Sequence, residues 1–513
     1  MSARPRTSRR TFLRRTTFLG AGAAAASMLP AGLASASPAP QETPGEWDLE
    51  VDVLVAGSGI AGMCAAIEAA QAGATTLVLE KAPYVGGNSK WAGGFDLESP
   101  TFEEMREHDP EGDPVLQQVM VDNFADDIAW LQEMGVELNE IRPGRFDFVP
   151  YLGEGGIEAF SILQGVLEEA GGEIMLETAL VKLITNDVGD VIGALAKGPD
   201  GPMRIGAGAV VVATGSCGQS DDFKVRYLGM YGDRTSYYGT PYHQGDGLRV
   251  CLEVGAALSS GMSIADGGLV FPPPFQAPDE ANENLLTGAA MSEPVPSGVQ
   301  NLFIRPPAWG EPVMLVNLHG KRYVDESARY TVIGWKTTAQ PEGIGFVVFD
   351  QTVYESRQDI LEAAVKYGAT MFQADTIEEL AEQMRDWKLT QSYNEGVAVD
   401  NFLATFEEFN AAMAKDGGLS LDPPRRANPQ AIETPPFYAV PAVQGVVDLI
   451  GGVRINENAQ ALDTMGQPIP GLFVAGEDSG RPYTVEHGGL SYGLTFGRIA
   501  GRSAAAAATG SAE

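Results

Sequence analysis

Gly57-Ser58-Gly59-Ile60-Ala61-Gly62 follows an apolar run, Val51 to Ala56, and precedes a helix-forming stretch from Met63 to Ala72. Thr75 to Leu79 then reads as a second buried strand, ending on Glu80. Strand, G-x-G-x-x-G, helix, strand and acid are the parts of a dinucleotide cradle. Gly57 permits the tight turn, Gly59 lets backbone approach a pyrophosphate, and Gly62 lets the helix pack close on the strand. Ser58 and Ala61 occupy the same loop and face the same phosphates. The helix N-terminus offers them free N–H groups and a partial positive charge. Glu80 lies 18 residues beyond Gly62, where an acid accepts from ribose hydroxyls.

Other glycine-rich turns accompany the cradle. Lys81 is followed by Gly86-Gly87-Asn88-Ser89 and Ala92-Gly93-Gly94, a loop that lets backbone come close to a bulky ring system. Ala209 to Val212 is a buried strand leading into Ala213-Thr214-Gly215, and Gly245-Asp246-Gly247 comes next. Ile469 to Val474 is another strand, with the turn Ala475-Gly476-Glu477. Ser491 and Leu494 lead into a closing small-residue helix, Thr495 to Gly501.

The first 36 residues contain six arginines and no acid: Arg9-Arg10-Thr11-Phe12-Leu13, then the alanine-rich run Phe18 to Leu29, then Ala34-Ser35-Ala36. Basic, apolar, small is the order of a cleaved export signal. The run is too short and too rich in glycine and alanine for a good anchor. Adjacent arginines before Phe-Leu resemble a twin-arginine address, so the expectation is export across the cytoplasmic membrane, to the periplasm or cell surface. The mature chain carries a net charge that falls from −34 to about −40 once these arginines are gone. Such a surface repels nucleic acid and anionic lipid. Three scattered cysteines and four histidines give no spacing for zinc, an iron–sulfur cluster or haem attachment, and no mature segment reads as a membrane span.

Taken together, GSGIAG, EK with GGNS and AGG, VVVATG, GDG, GKRYVDE, Gly451-Gly452 before Val453, GLFVAGE and TFGRIAG resemble the fumarate reductase/succinate dehydrogenase flavoprotein superfamily. The resemblance runs from Asp52 to Ala504 and is to the soluble branch that includes 3-ketosteroid dehydrogenases and urocanate reductases. It implies an α/β fold, a split Rossmann-like FAD-binding domain with an inserted α+β capping domain, and noncovalent FAD. The implied boundaries are a signal peptide at 1–36, a linker at 37–46, and the FAD domain at 47–256 and 437–507. The cap is 257–436, and 508–513 is a tail. The FAD contacts expected are Gly57, Ser58, Gly59, Ala61, Gly62, Glu80, Lys81, Asn88, Ser89, Gly93, Gly94, Ala213, Thr214, Gly215, Asp246, Gly476, Glu477, Ser491 and Leu494. His243, just before the GDG turn, is either in the site or structural.

Within the resemblance, three features bear on substrate. Fumarate reductases place a proton-delivering arginine ten residues after the glycine of the segment matching Gly320-Lys321-Arg322-Tyr323-Val324-Asp325-Glu326. Here that position is Tyr330, as in the ketosteroid dehydrogenases, and Arg329 precedes it. Tyr330 is read as proton donor, with an aromatic pocket wall and an Arg329 acid as the alternatives; a phenol can both donate and accept. Fumarate reductases also hold a carboxylate with histidine and threonine before the Gly-Gly pair. This chain has Val447-Asp448-Leu449-Ile450 there, and Asp448 would repel one. In the loop from Arg481 to Leu494, Tyr483 and His487 are candidate contacts to a carbonyl or phenol. The reading is an exported FAD-dependent oxidoreductase acting on an electron-poor alkene conjugated to a carbonyl, with a separate redox protein such as a cytochrome as its electron partner, as in anaerobic respiration. Its rivals are a fumarate- or urocanate-type enoate reductase and a non-catalytic electron-transfer flavoprotein.

Overall fold

The structure is a computed structural model. It describes residues 46–92, 97–110, 112–148, 154–263, 265–273, 275, 277, 306–307, 311–388, 396–480, 482 and 489–510. Trp47–Glu513 forms one compact unit, and the expected signal and all of the linker but Glu46 lie outside the described residues. The elements that matter below are, in chain order, β1 (Leu49–Ala56), α1 (Ile60–Gln71), β2 (Thr76–Leu79), α2 (Pro114–Glu133), β3 (Glu173–Met175) and β4 (Gly201–Val212). They continue with α3 (Asp246–Glu253), β5 (Met314–Asn317), α4 (Tyr330–Thr338), β6 (Gly345–Asp350), α5 (Gln358–Lys366), β7 (Phe437–Val446), β8 (Pro468–Val474) and α6 (Gly489–Thr509).

A parallel run in the order β8-β4-β1-β2-β3 forms the main sheet. Val53 to Ala56 and Val210 to Val212 are buried, as expected where helices cover both faces of a parallel sheet. The last helix, α6, lies across α1. A Cβ on Gly497 would sit 2.4 Å from the Ala61 carbonyl oxygen, and one on Gly501 2.3 Å from that of Ala65, so only glycine allows this approach. Arg498 locks the contact by reaching Glu68 and Asp127, each at 2.7 Å. Ala504 and Ala505 are buried and α6 runs to Thr509, so the chain stays helical two residues into the expected tail. On α2, Phe124, Ile128 and Leu131 face the core.

The cap is built on a second sheet in the order Ser236–Tyr237, β7, β6, β5. β7 pairs antiparallel with β6 along its length, from Phe437 to Ala442. The boundary drawn at residue 436 therefore moves: 437–446 belongs to the cap sheet, because its alternating residues fill the cap's own cores. Between α5 and residue 388, the strand Phe372–Ala374 pairs with β7. Among the described residues no helix is long and apolar enough to cross a membrane.

Candidate active site

The turn after β1 is shaped by contacts a side chain would abolish. Gly57 has φ +103°, and a Cβ there would lie 2.0 Å from the Ala213 carbonyl oxygen. A Cβ on Gly62 would lie 2.0 Å from the Gly57 carbonyl oxygen, so Gly62 packs behind the loop and does not reach the cavity. Gly59 caps α1 and brings no side chain of its own to the first N–H groups. The Ile60 N–H donates to Ser89 Oγ (3.2 Å), which ties the second glycine loop to the first. Glu80 is buried; its carboxylate accepts from Ser58 N (3.0 Å), Ser58 Oγ (2.5 Å) and Ala82 N (2.7 Å). The acid expected at a ribose thus also holds the phosphate loop in place. Lys81 Nζ pairs with Asp246 Oδ2 at 2.7 Å, so these two predicted contacts meet each other.

Asn88 has its orientation forced. Its Oδ1 accepts from the Thr240 N–H (2.8 Å), which turns Nδ2 toward the Tyr237 hydroxyl (2.9 Å) and His243 Nδ1 (3.1 Å). His243 Nδ1 is then an acceptor and Nε2 carries the hydrogen. Burial, aided by Lys81, pushes His243 down to about 4, consistent with a neutral ring.

Across the cavity, the turn after β8 meets the turn after β4. Asp478 Oδ2 accepts from Thr214 Oγ1 (2.9 Å) and from the N–H groups of Thr214 and Gly215, while Glu477 Oε2 accepts from Ser216 N (3.0 Å). Asp478 Oδ1 is buried without a partner. Burial pushes Asp478 up to about 7, with Glu477 adding to the effect. Its value lies above the ordinary 3.8, so between about pH 4 and 7 the native state holds a proton the unfolded chain has released. Stability from this group is complete below about pH 4 and is lost as pH rises through about 7. In the apoprotein, Asp478→Asn is expected to remove this dependence. Urea midpoints at pH 5 and pH 8 should show the variant gaining on wild type at the higher pH; an equal offset at both would refute the assignment.

These turns line one cavity of about 580 Å³, well within the range of cofactor and ligand pockets. Gly57, Ser58, Gly59, Ala61, Glu80 and Lys81 line it on one side. Asn88, Ser89, Asp246, Gly476 and Glu477 line it as well, together with Ala213, Thr214 and Gly215. Ser491 and Leu494 do not: both are fully buried, and Ser491 Oγ accepts from Glu98 N at 2.8 Å. Gly489, Leu490 and Gly493 are the described residues of α6 that line the cavity, while the Ser491 and Leu494 side chains are buried in the core. Gly93, Gly94, Arg481, Tyr483 and His487 lie outside the described residues.

The cap brings Tyr330 into the same cavity. Arg322 forks onto the buried Glu326 (2.7 Å), and Glu326 also accepts from Leu315 N, fixing the approach to α4. Tyr330 opens α4, and Gly268 packs against its ring, leaving only 3.3 Å for a Cβ. Trp335 Nε1 donates to the Ala265 carbonyl, anchoring the next turn. Arg329, the N-cap, is exposed and lines no part of the cavity. Asp448 is buried and lines it. Sequence reasoning missed Arg357, Ile360, Trp91 and Tyr238, which also line it; none stands in a recognisable motif.

The sequence profile of the FAD binding domain family matches residues 52–490. The chain belongs to this family. With it comes membership of the FAD-dependent fumarate reductase/succinate dehydrogenase flavoprotein superfamily, and the protein is an FAD-dependent oxidoreductase. A probable fumarate reductase of Shewanella frigidimarina is 27% identical over 88% of this chain and 74% of its own length. A urocanate reductase of Eggerthella lenta is 27% identical over 90% and 75%. The crystal structure of a 3-ketosteroid-Δ4-(5α)-dehydrogenase from Rhodococcus jostii RHA1, in complex with 4-androstene-3,17-dione, aligns with TM-score 0.65 and 25% identity over 91% of this chain and 99% of that one. The cradle fits FAD: its glycines leave backbone bare at the phosphate turn, and the α1 N-terminus, capped by a glycine, faces the cavity.

Proposed function

We propose that this flavoprotein reduces a carbon–carbon double bond conjugated to a carbonyl, and that its substrate is an uncharged enone. The observation that carries the reading is the company Tyr330 keeps. Tyr330 lines the cavity of the FAD cradle, the exposed Arg329 does not, and Asp448 adds a buried acid to the lining. FAD, held by the glycine turns of the cradle, would supply the hydride. Tyr330 holds the proton that the α carbon receives, and the start of α4 fixes its place in the cavity lining. The carbonyl takes up the developing negative charge, so electron-poor alkenes react and isolated ones do not.

An enoate reductase would need a cation to hold the substrate carboxylate. Asp448, at the edge of the Gly451-Gly452 turn, opposes one, which supports the neutral substrate. Export by the twin-arginine route and electron supply by a separate redox protein, such as a cytochrome, complete the proposal; the N-terminal arginine pattern supports the first, and scarcity of nicotinamide outside the cytoplasm supports the second. The test is anaerobic. The bound flavin is reduced with dithionite, then mixed with fumarate, urocanate, cinnamate-type enoates or a 3-ketosteroid enone. Reoxidation by neutral enones at least about tenfold faster than by any carboxylate is the expected result. The reverse order transfers the protein to the enoate reductases, and no reoxidation by any acceptor makes it an electron carrier.

A further inference from the structure

We propose that Arg357, held by Glu311 on the cap side of the cavity, binds a second oxygen of the substrate. That oxygen belongs to an uncharged carbonyl or hydroxyl group, separate from the carbonyl conjugated to the reacting bond. The proposal rests on the enone reading and narrows it to substrates with two polar ends.

Arg357 is the single residue between the helix Gln351–Ser356 and α5. Its N–H donates to the Tyr354 carbonyl (3.1 Å) and its carbonyl accepts from Leu361 N (3.0 Å), so its backbone is pinned on both sides. Its side chain donates through Nε to Glu311 Oε1. Glu311 is itself immobile: its carbonyl accepts from Nη2 of the fully buried Arg425 (2.8 Å). Glu311 Oε2 is buried without a partner. The guanidinium has further N–H donors beyond Nε. Among the described residues they make no hydrogen bond, the side chain keeps 26% of its exposure, and Arg357 lines the cavity with Ile360 one turn on. A rigid fork is thus presented beside an apolar side chain.

Charge decides what the fork takes. Glu311 already balances the guanidinium. Lys81, the other described lysine or arginine lining the cavity, is paired with Asp246. A substrate carboxylate would have to share one guanidinium with Glu311. A carbonyl or hydroxyl oxygen accepts the same N–H groups and adds no charge. A hydrogen bond to a charged donor is strong enough for about a 10- to 100-fold preference.

Oxidised holoenzyme cannot reduce an enone, so binding is read without turnover from the change in flavin absorbance. Polycyclic enones are titrated in sets: one with a second carbonyl or hydroxyl at its opposite end, one without, and one ending in a carboxylate. Wild type is expected to bind the first about 10- to 100-fold tighter than the second, and the third no better than the second. Arg357→Leu alone strands a buried carboxylate, so the informative variant is Arg357→Leu with Glu311→Leu, checked for unchanged flavin content. It should bind the first two equally, with the second within about threefold of wild type; Arg357→Lys, which keeps the charge and loses the fork, should fall between. A preference that survives the double variant, or is missing in wild type, or favours the carboxylate, overturns the proposal while leaving the enone reading standing. If wild type binds no enone and is reoxidised only by enoates, both fall together.

Discussion

Replacing Tyr330 by phenylalanine is expected to slow reoxidation of the reduced flavin by enones about 10²- to 10⁴-fold, the range for losing a positioned general acid. Flavin content and reduction by dithionite should be unchanged, because the phenol oxygen makes up none of the cradle's turns. The ring itself stays, so packing against Gly268 and the seat of α4 are preserved. Arg329→Ala is the matched control. Arg329 is exposed and lines no part of the cavity, so its loss should alter the rate by less than about threefold. Stopped-flow absorbance of the flavin under anaerobic conditions separates the two residues in one experiment. A Tyr330→Phe enzyme with wild-type rates beside a disabled Arg329→Ala enzyme would hand the proton to arginine and return the protein to the fumarate-like branch.

Alanine at Gly57 and alanine at Gly59 should fail in different ways. At Gly57 the backbone has φ +103° and the methyl would lie 2.0 Å from the Ala213 carbonyl oxygen. Backbone strain and overpacking each cost roughly 1–3 kcal/mol. The expected Gly57→Ala protein is therefore purified without flavin and melts well below wild-type apoprotein. At Gly59 the nearest protein atom to the methyl is Ser89 Oγ, 3.5 Å away, an ordinary contact. Gly59→Ala should leave apoprotein stability within about 0.5 kcal/mol, yet weaken FAD binding about tenfold or more, because the methyl occupies space where backbone must meet pyrophosphate. Apoprotein melting and flavin titration read the two effects apart. Full flavin loading of Gly57→Ala, or wild-type affinity in Gly59→Ala, would contradict the roles assigned to these glycines.

The sequence by itself determined the cradle and its partners. G-x-G-x-x-G after a buried strand can be read locally, because the turn, the helix start and the close packing are each imposed by neighbours in the chain. The glycine loops at 86–87, 213–215 and 476 could be read for the same reason: backbone that must approach another backbone leaves glycine behind. Tyr330 was visible too, as a departure at one position of a recognisable segment. What depended on distant partners was not visible. Ser491 and Leu494 were assigned to the cofactor because they fall in the right stretch, but the face α6 shows the cavity is set by where Gly497 and Gly501 press it onto α1. The strand 437–446 joined the cap because its pairing edge meets β6, some 90 positions earlier in the chain. Asp478 is an ordinary acid in sequence, and only burial against the β4 turn raises it to about 7. Arg357 has no motif at all; it reaches the cavity because the cap sheet carries the helices behind β6 over the FAD domain. Local backbone demands leave a mark on residue type, whereas the direction of a side chain and the charge around it arise only when remote segments pack together.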